Sequence, residues 1–272
     1  MPKAFRTAAG MTGLGLLLLV MGAATLGPLL APYDPQAFHP AARLQGPSAA
    51  HWLGTDQFGR DLLSRLLNGA PSTVFFGLGA TLLGVGAGSM IGVIAGTAGG
   101  WIDSVIMRIL DGLLAVPELL FTLLIVTFLG GGMGQAMLAV AIAFTPGMAR
   151  IARSSVLSIR TREYVLAAVA RGERSPYIVL REVLPNAVGP IIVEATIRVA
   201  FAIMIGATLG FLGLGAQPPS TEWGLMVAEA RQFMFRNAWT VAVPGVAIAM
   251  AAMGFNLFGD ALRDSLDPRR SS

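Results

Sequence analysis

Glu194 and Arg198 stand four residues apart in an otherwise apolar segment, the spacing and order of an intrahelical ion pair. Asp111 and Glu118 flank Pro117 in a second apolar segment. Inside hydrocarbon such groups are costly unless they pair or face an aqueous cavity, so Asp111, Pro117, Glu118, Glu194 and Arg198 are candidates for a translocation path or an intramembrane polar site. Asp111 is expected to satisfy backbone or to face Arg108 three residues earlier. Pro117 is expected to kink its helix, because proline removes a backbone donor. Acid-base catalysis would want paired carboxylates or a histidine cluster at one depth, and the spacing of these acids supplies neither. Cysteine is absent, and His39 and His51 fall in one polar loop where both are expected to be solvated. No metal ligand set is expected from these residues. A glycine-rich phosphate loop ending in Lys-Ser or Lys-Thr is also missing, so hydrolysis of ATP by this chain is not expected.

The elements that must position these residues are legible in the charge pattern. Only 12% of the 272 residues are charged, against about 25% in a typical soluble domain. Charge-free runs cover 7–33, 66–102, 119–149, 199–221 and 237–259. Each could cross a hydrocarbon core of roughly 30 Å, which takes about 20 helical residues. The run 119–149 must be divided, because Gly130, Gly131, Gly132 and Gly134 are too dense for one helix interior. The expectation is an all-α integral membrane protein with six transmembrane helices, at about 8–30, 72–96, 108–129, 133–150, 188–212 and 238–259. Glycine and alanine in these helices favour close helix crossings. A net charge of +4 could suggest nucleic acid in a soluble protein, but here the basic residues are topology determinants and no nucleic-acid partner is expected.

Six spans place both termini on one side. Lys3, Arg6, Arg108, Arg150, Arg153, Arg160, Arg162, Arg171, Arg174, Arg181, Arg263, Arg269 and Arg270 then share a face, whereas Arg43, Arg60, Arg65, Arg231 and Arg236 occupy the other. An excess of Lys and Arg marks the cytoplasmic side, so both ends are expected there. The basic start and Ala23-Ala24 also suggest a signal peptide, but its removal would leave five spans and disturb this agreement. Four parts are expected: an N-terminal helix at 1–31, an external loop at 32–70, a five-helix core at 71–262 containing a polar loop at 151–187, and a cytoplasmic tail at 263–272. The loop 32–70 is expected to end in an amphipathic elbow with Leu62, Leu63, Leu66 and Leu67 on one face and Trp52 as an interfacial anchor. In the external loop 214–236, a short interfacial helix is expected, with Trp223, Arg231 and Arg236 as candidate docking residues.

The stretch EYVLAAVARGERSPYIVLREVLPN, residues 163–186, is the most basic in the chain. Its pattern predicts two short helices around a bend. Glu163 to Ala170 can be helical, and Gly172 breaks the helix. Ser175 has the character of an N-cap, with Pro176 at the first helical position. The second helix, with Ile178, Val179 and Val183 as apolar residues, is expected to end before Pro185. Ala167, Ala168 and Ala170 leave a low face that suits insertion into another protein's groove.

These residues resemble the EAA loop of permease subunits of bacterial ATP-binding cassette importers, on Glu163, Ala167, Ala168, Gly172, Ile178, Leu184 and Pro185. Leu166 stands where that loop has glutamate, and the basic residue after the alanines is displaced to Arg171. Four further stretches are similar to the dipeptide, oligopeptide and nickel permease family, second (C-type) subunit: HWLGTDQFGRDLLSRLLNGA (51–70), MRILDGLLAVPELL (107–120), GFLGLGAQPPSTEWGLMVAEAR (210–231) and GFNLFGDALRDSLDPR (254–269). The resemblance implies a type I importer permease fold in which 163–185 supplies a coupling helix. It also implies location in the bacterial cytoplasmic membrane. The implied partners are a homologous B-type permease, two ATPase subunits that carry ATP and Mg, and an external solute-binding protein, with no cofactor on this chain. Short peptides are the implied substrate, with nickel or a metal chelate as the alternative. A self-contained channel or secondary transporter, or a membrane enzyme, is the rival class.

Overall fold

The computed structural model describes residues 7–266. Lys3, Arg6, Arg269 and Arg270, four of the residues on which the expected orientation rests, lie outside the described residues, as does the end of the tail.

The described chain is helical, with α1 at Ala8–Leu30, α2 at Leu62–Ala98, α3 at Gly100–Leu114, α4 at Glu118–Leu129, α5 at Met133–Arg160, α6 at Glu163–Ala170, α7 at Ser175–Tyr177, α8 at Leu184–Phe211, α9 at Trp223–Ala230 and α10 at Trp239–Leu266. A π-helical turn, Ile178–Val183, joins α7 to α8. Five helical segments are long and apolar enough to cross a membrane: α1, α2, α5, Ser175–Phe211 and α10. Helices α3 and α4 pass the same test together with a bend of 91° between them, so the described residues hold five spans, or six with the bent pair counted as one.

Small residues set the spacing of the bundle. A Cβ on Gly84 would lie 2.8 Å from the Ala141 carbonyl oxygen, and one on Gly88 would lie 2.5 Å from that of Thr145. Gly84, Gly88 and Gly92 recur every four residues along α2, so α2 and α5 meet backbone to backbone along one face. The close crossings expected from composition are thus located on this helix pair. Around it, Phe76, Val126, Val140, Phe144 and Leu209 build one apolar cluster, and Val20, Val74, Val199, Ile203 and Phe255 build another that joins α1, α2, α8 and α10.

Several boundaries differ from the sequence reading. The elbow at 62–67 is not a separate piece: it is the first two turns of α2, which continues through Pro71 and across the expected 70/71 division. Asp61 caps this helix, its carboxylate accepting from the Ser64 amide at 2.7 Å, and that cap makes the extension possible. The third span begins at Gly100 and breaks at Pro117 rather than kinking. Proline forces Val116 away from helical geometry, and α4 restarts with the Phe121 amide donating to the Pro117 carbonyl at 2.9 Å. The fourth span runs ten residues beyond its expected end at 150, to Arg160. There the Arg160 guanidinium donates to the carbonyls of Gly96 (2.7 Å) and Thr97 (3.1 Å), closing the end of α2.

Candidate functional site

Three groupings of the candidate residues emerge, and the first is the basic loop. Helix α6 ends in a Schellman motif around Gly172, which has φ +77. The Gly172 amide donates to the Val169 carbonyl at 2.9 Å and the Glu173 amide to the Ala168 carbonyl at 3.2 Å. The bend at Gly172 is therefore a built reversal. Ser175 is not the N-cap: that position is held by Arg174, and no side chain caps it. Nor does the second helix end before Pro185. It passes through the π turn, in which the Leu184 amide donates to the Val179 carbonyl, and continues as α8. The wider turn accommodates a residue with no N–H to give, so the expected stop became a change of register.

Val165, Ile178 and Val183 turn inward onto Val156, Ile159 and Ala187, fixing the loop to the end of α5. Ala168 is fully buried beneath the loop, whereas Ala167 faces outward beside Tyr164, Leu166 and Val169. Only one of the two paired alanines is therefore on the outer face. Glu163, Pro176 and Pro185 are exposed, and Leu184 is half-buried. Tyr177 and Leu180 extend the outer apolar surface around the bend.

A second grouping is the ion triad of Arg198, Glu118 and Glu194. Arg198 Nη1 donates to Glu118 Oε1 at 2.9 Å, and Arg198 Nε donates to Glu194 Oε1 at 3.3 Å. Its guanidinium carbon sits 4.9 Å from the centroid of the Phe144 ring. Gly147 leaves the room for this arginine, since a Cβ there would be 2.9 Å from Nη2. The side chain of Arg198 is 17% exposed, Glu194 20% and Glu118 40%, so Glu118 opens the triad to its surroundings. One cation against two carboxylates leaves a formal charge of −1. The Glu194–Arg198 pair was legible from spacing; the third member was not, because Glu118 reaches it only through the break at Pro117. Asp111 is elsewhere. It pairs with Arg150 rather than Arg108, at an exposed site. A further pair, Asp103 with Arg153, joins α3 to α5 and was not anticipated.

The third grouping corrects the expected docking residues. Trp223 is 2% exposed and belongs to the apolar core, with its indole N–H donating to the Leu66 carbonyl at 2.9 Å. It cannot offer a docking surface. Arg231 lies over Phe211, 5.3 Å from the ring centroid, and Arg236 is exposed. Glu222 caps α9 by accepting from the amides of Gly224 (2.9 Å) and Leu225 (3.0 Å), and burial holds its carboxyl above the usual range. Trp52 is exposed, as an interfacial anchor would be. His51, expected to be solvated, is instead 2.9 Å from Asp61 through Nδ1.

The stretch 51–70 contributes a buried network that sequence reasoning missed. Asp56 Oδ2 accepts from Arg60 Nε and Arg65 Nη1, both at 2.6 Å. Glu229 Oε2 accepts from the second nitrogens of both arginines at 2.9 Å. Two guanidiniums clamped by two carboxylates tie the start of α2 to α9. The alternating Asp56, Arg60 and Arg65 were the available signal, but their partner Glu229 lies 164 positions from Arg65.

Comparison with known proteins bears on these features together. Residues 88–272 match the family model described as binding-protein-dependent transport system inner membrane component, and residues 5–47 match the N-terminal TM domain of oligopeptide transport permease C. A dipeptide transport system permease of Alkalihalophilus pseudofirmus is 45% identical, with 92% of this chain and 82% of that protein covered. A probable D,D-dipeptide transport system permease of Escherichia coli is 44% identical, with 93% and 84% covered. A glutathione transport system permease of Pectobacterium atrosepticum is 40% identical, with 94% and 85% covered. A chain of the MetNI methionine ABC transporter in an inward facing conformation shares the fold, with TM-score 0.63 at 18% identity over 75% of this chain and 97% of that one. The helical architecture of the described residues agrees with these likenesses, and the chain belongs to the binding-protein-dependent transport system inner membrane component family.

Proposed function

We propose that this chain is the transmembrane permease subunit of an ATP-driven importer that carries short peptides across the bacterial cytoplasmic membrane. The relatives above, 40 to 45% identical along nearly the whole chain, are named for dipeptides, D,D-dipeptides and glutathione, which favours peptides over nickel or metal chelates. The single observation that carries the mechanism is the outer face of the basic loop. Tyr164, Leu166, Val169, Tyr177 and Leu180 stay exposed there while the underside of the same loop is packed. An apolar surface held rigidly from behind suits insertion into a groove of an ATPase subunit.

In this reading the chain has no catalytic residue and binds no cofactor. ATP and Mg belong to two ATPase partners, and a homologous permease completes the pathway. A solute-binding protein delivers the peptide on the α9 side. Closure of the ATPases moves α6 and α7, and the π turn passes that motion into α8, the helix bearing Glu194 and Arg198. Binding energy released at the ATPases is thereby delivered to the polar groups in the span.

The test is gentle affinity purification followed by mass measurement and transport assay. Two ATPase subunits and a second permease are expected to co-purify, and the assembly is expected to take up di- or tripeptides with ATP. ATPase activity from this chain proven free of partners, or a partner-containing assembly that moves no peptide, would overturn the proposal.

A further inference from the structure

A cavity of about 840 Å³ lies between α5, the start of α6, α8 and α10 on the arginine-rich side. Its walls follow the antiparallel course of α5 and α8. At its inner end are Glu194 and Ile151, one turn from Arg198. At its mouth are Asn186, Arg162 and Arg263, and between the two ends lie the hydroxyls of Ser155 and Ser158. Arg162 and Arg263 are exposed, and neither side chain forms an ion pair among the described residues. Glu194 shares its one arginine with Glu118, so it retains acceptor capacity toward the cavity.

The cavity thus carries charge at its two ends, a carboxylate at one and two guanidiniums at the other, with a largely apolar wall that includes Ile159, Pro190 and Val193 between them. A phosphate or an anionic lipid headgroup would suit the arginines but would be repelled by Glu194. A monovalent amine would suit Glu194 and leave the arginines unused. A molecule with an ammonium group at one end and a carboxylate at the other uses all of them. Glu194 and Asn186 are eight residues apart on α8, a rise of about 12 Å. An extended peptide spans about 3.5 Å per residue, so two or three residues, with flexible arginine side chains reaching inward, fill this length.

We propose that this cavity is a docking site for a zwitterionic di- or tripeptide on its way out, with its ammonium group at Glu194 and its carboxylate between Arg162 and Arg263. The inference rests on the peptide-importer reading and deepens it. The −1 triad draws the ammonium group inward, and the two arginines at the mouth hold the carboxylate until release.

The experiment uses the whole importer, with its ATPases and second permease, purified without the solute-binding protein. Equilibrium binding of labelled trialanine, N-acetyl-trialanine and trialanine amide is measured, and ATP-driven uptake of trialanine is followed in parallel with the binding protein present. In the native assembly, acetylation and amidation are each expected to weaken binding about tenfold, since each removes one charge-assisted contact. Glu194→Gln should abolish discrimination against the acetylated peptide and leave that against the amide. The double variant Arg162→Gln, Arg263→Gln should do the reverse, and because both side chains are exposed it leaves the helix packing intact. Uptake of trialanine with binding that ignores both end groups, or with discrimination that survives both variants, overturns this site alone. Failure of the native assembly to take up any short peptide overturns the importer reading as well.

Discussion

Arg198 on α8 binds Glu118 at the first turn of α4 through a 2.9 Å contact that crosses 80 positions of sequence. This one pair joins the broken third span to the helix that leaves the basic loop. The triad therefore ties the helix that follows the basic loop to the start of α4.

Replacing Arg198 with Met should destabilise the assembly, because two carboxylates lose their cation in a largely apolar setting. Breaking such a pair from one side costs about 3–5 kcal/mol when fully buried, and the 40% exposure of Glu118 brings this case below that range, to about 1–2 kcal/mol. Adding Glu118→Gln and Glu194→Gln to Arg198→Met should recover most of the loss. Thermal unfolding of the purified assembly in detergent measures both; an Arg198→Met assembly as stable as the native one would show that the triad is solvated.

At the bend, Gly172→Ile should reduce transport without reducing membrane insertion. Space is not the obstacle, since a Cβ at Gly172 meets nothing within 4 Å. The obstacle is φ +77, which costs a non-glycine residue about 1–2 kcal/mol and more for a β-branched one. Gly172→Asn should be milder. Co-purification of the ATPase with each variant, alongside uptake, gives the answer, and full recovery with Gly172→Ile would leave the bend without a coupling role.

The paired alanines should behave differently from each other. Ala167→Glu places a charge on the outer face and is expected to weaken ATPase recovery while the permease remains folded. Ala168→Glu buries the charge beneath the loop and is expected to lower the yield of folded permease itself. Equal effects on yield would contradict the inward and outward assignment.

Stability on the α9 side should depend on pH through Glu222. Burial raises its carboxyl above the ordinary 4.5, so the folded state holds the proton more tightly than the unfolded chain. That contribution is fully present below the unfolded value and fades as pH rises through the raised folded value. The native assembly should therefore lose thermal stability as pH climbs from 4.5 through that range, relative to Glu222→Gln, whose neutral amide does not titrate. Parallel melting curves of the two proteins against pH would sink the assignment.

Orientation can be read directly, because the chain has no native cysteine. Ser48→Cys should react with an impermeant thiol reagent in intact cells, and the exposed Ser175→Cys should not. Labelling at 175 from outside would invert the topology.

Most of the spans and the break at Gly172 could be read from residue order, because the cost of a charge in hydrocarbon and of a side chain at positive φ is local. The Glu194–Arg198 pair was legible for the same reason: helical rise alone sets its distance. Helix ends were less so. Asp61 and the π turn before Pro185 each extended a helix past its expected limit by satisfying nearby backbone groups, whereas Arg160 closed the end of α2 from another helix. What only the tertiary structure decided was which charge meets which. Glu118 with Arg198, Asp111 with Arg150 and Glu229 with Arg65 depend on distances between elements, and the small-residue contact of α2 on α5 at Gly84 and Gly88 helps set those distances. Trp223 was assigned to a surface and found in the core for the same physical reason: burial belongs to the packed assembly of helices and not to any one segment.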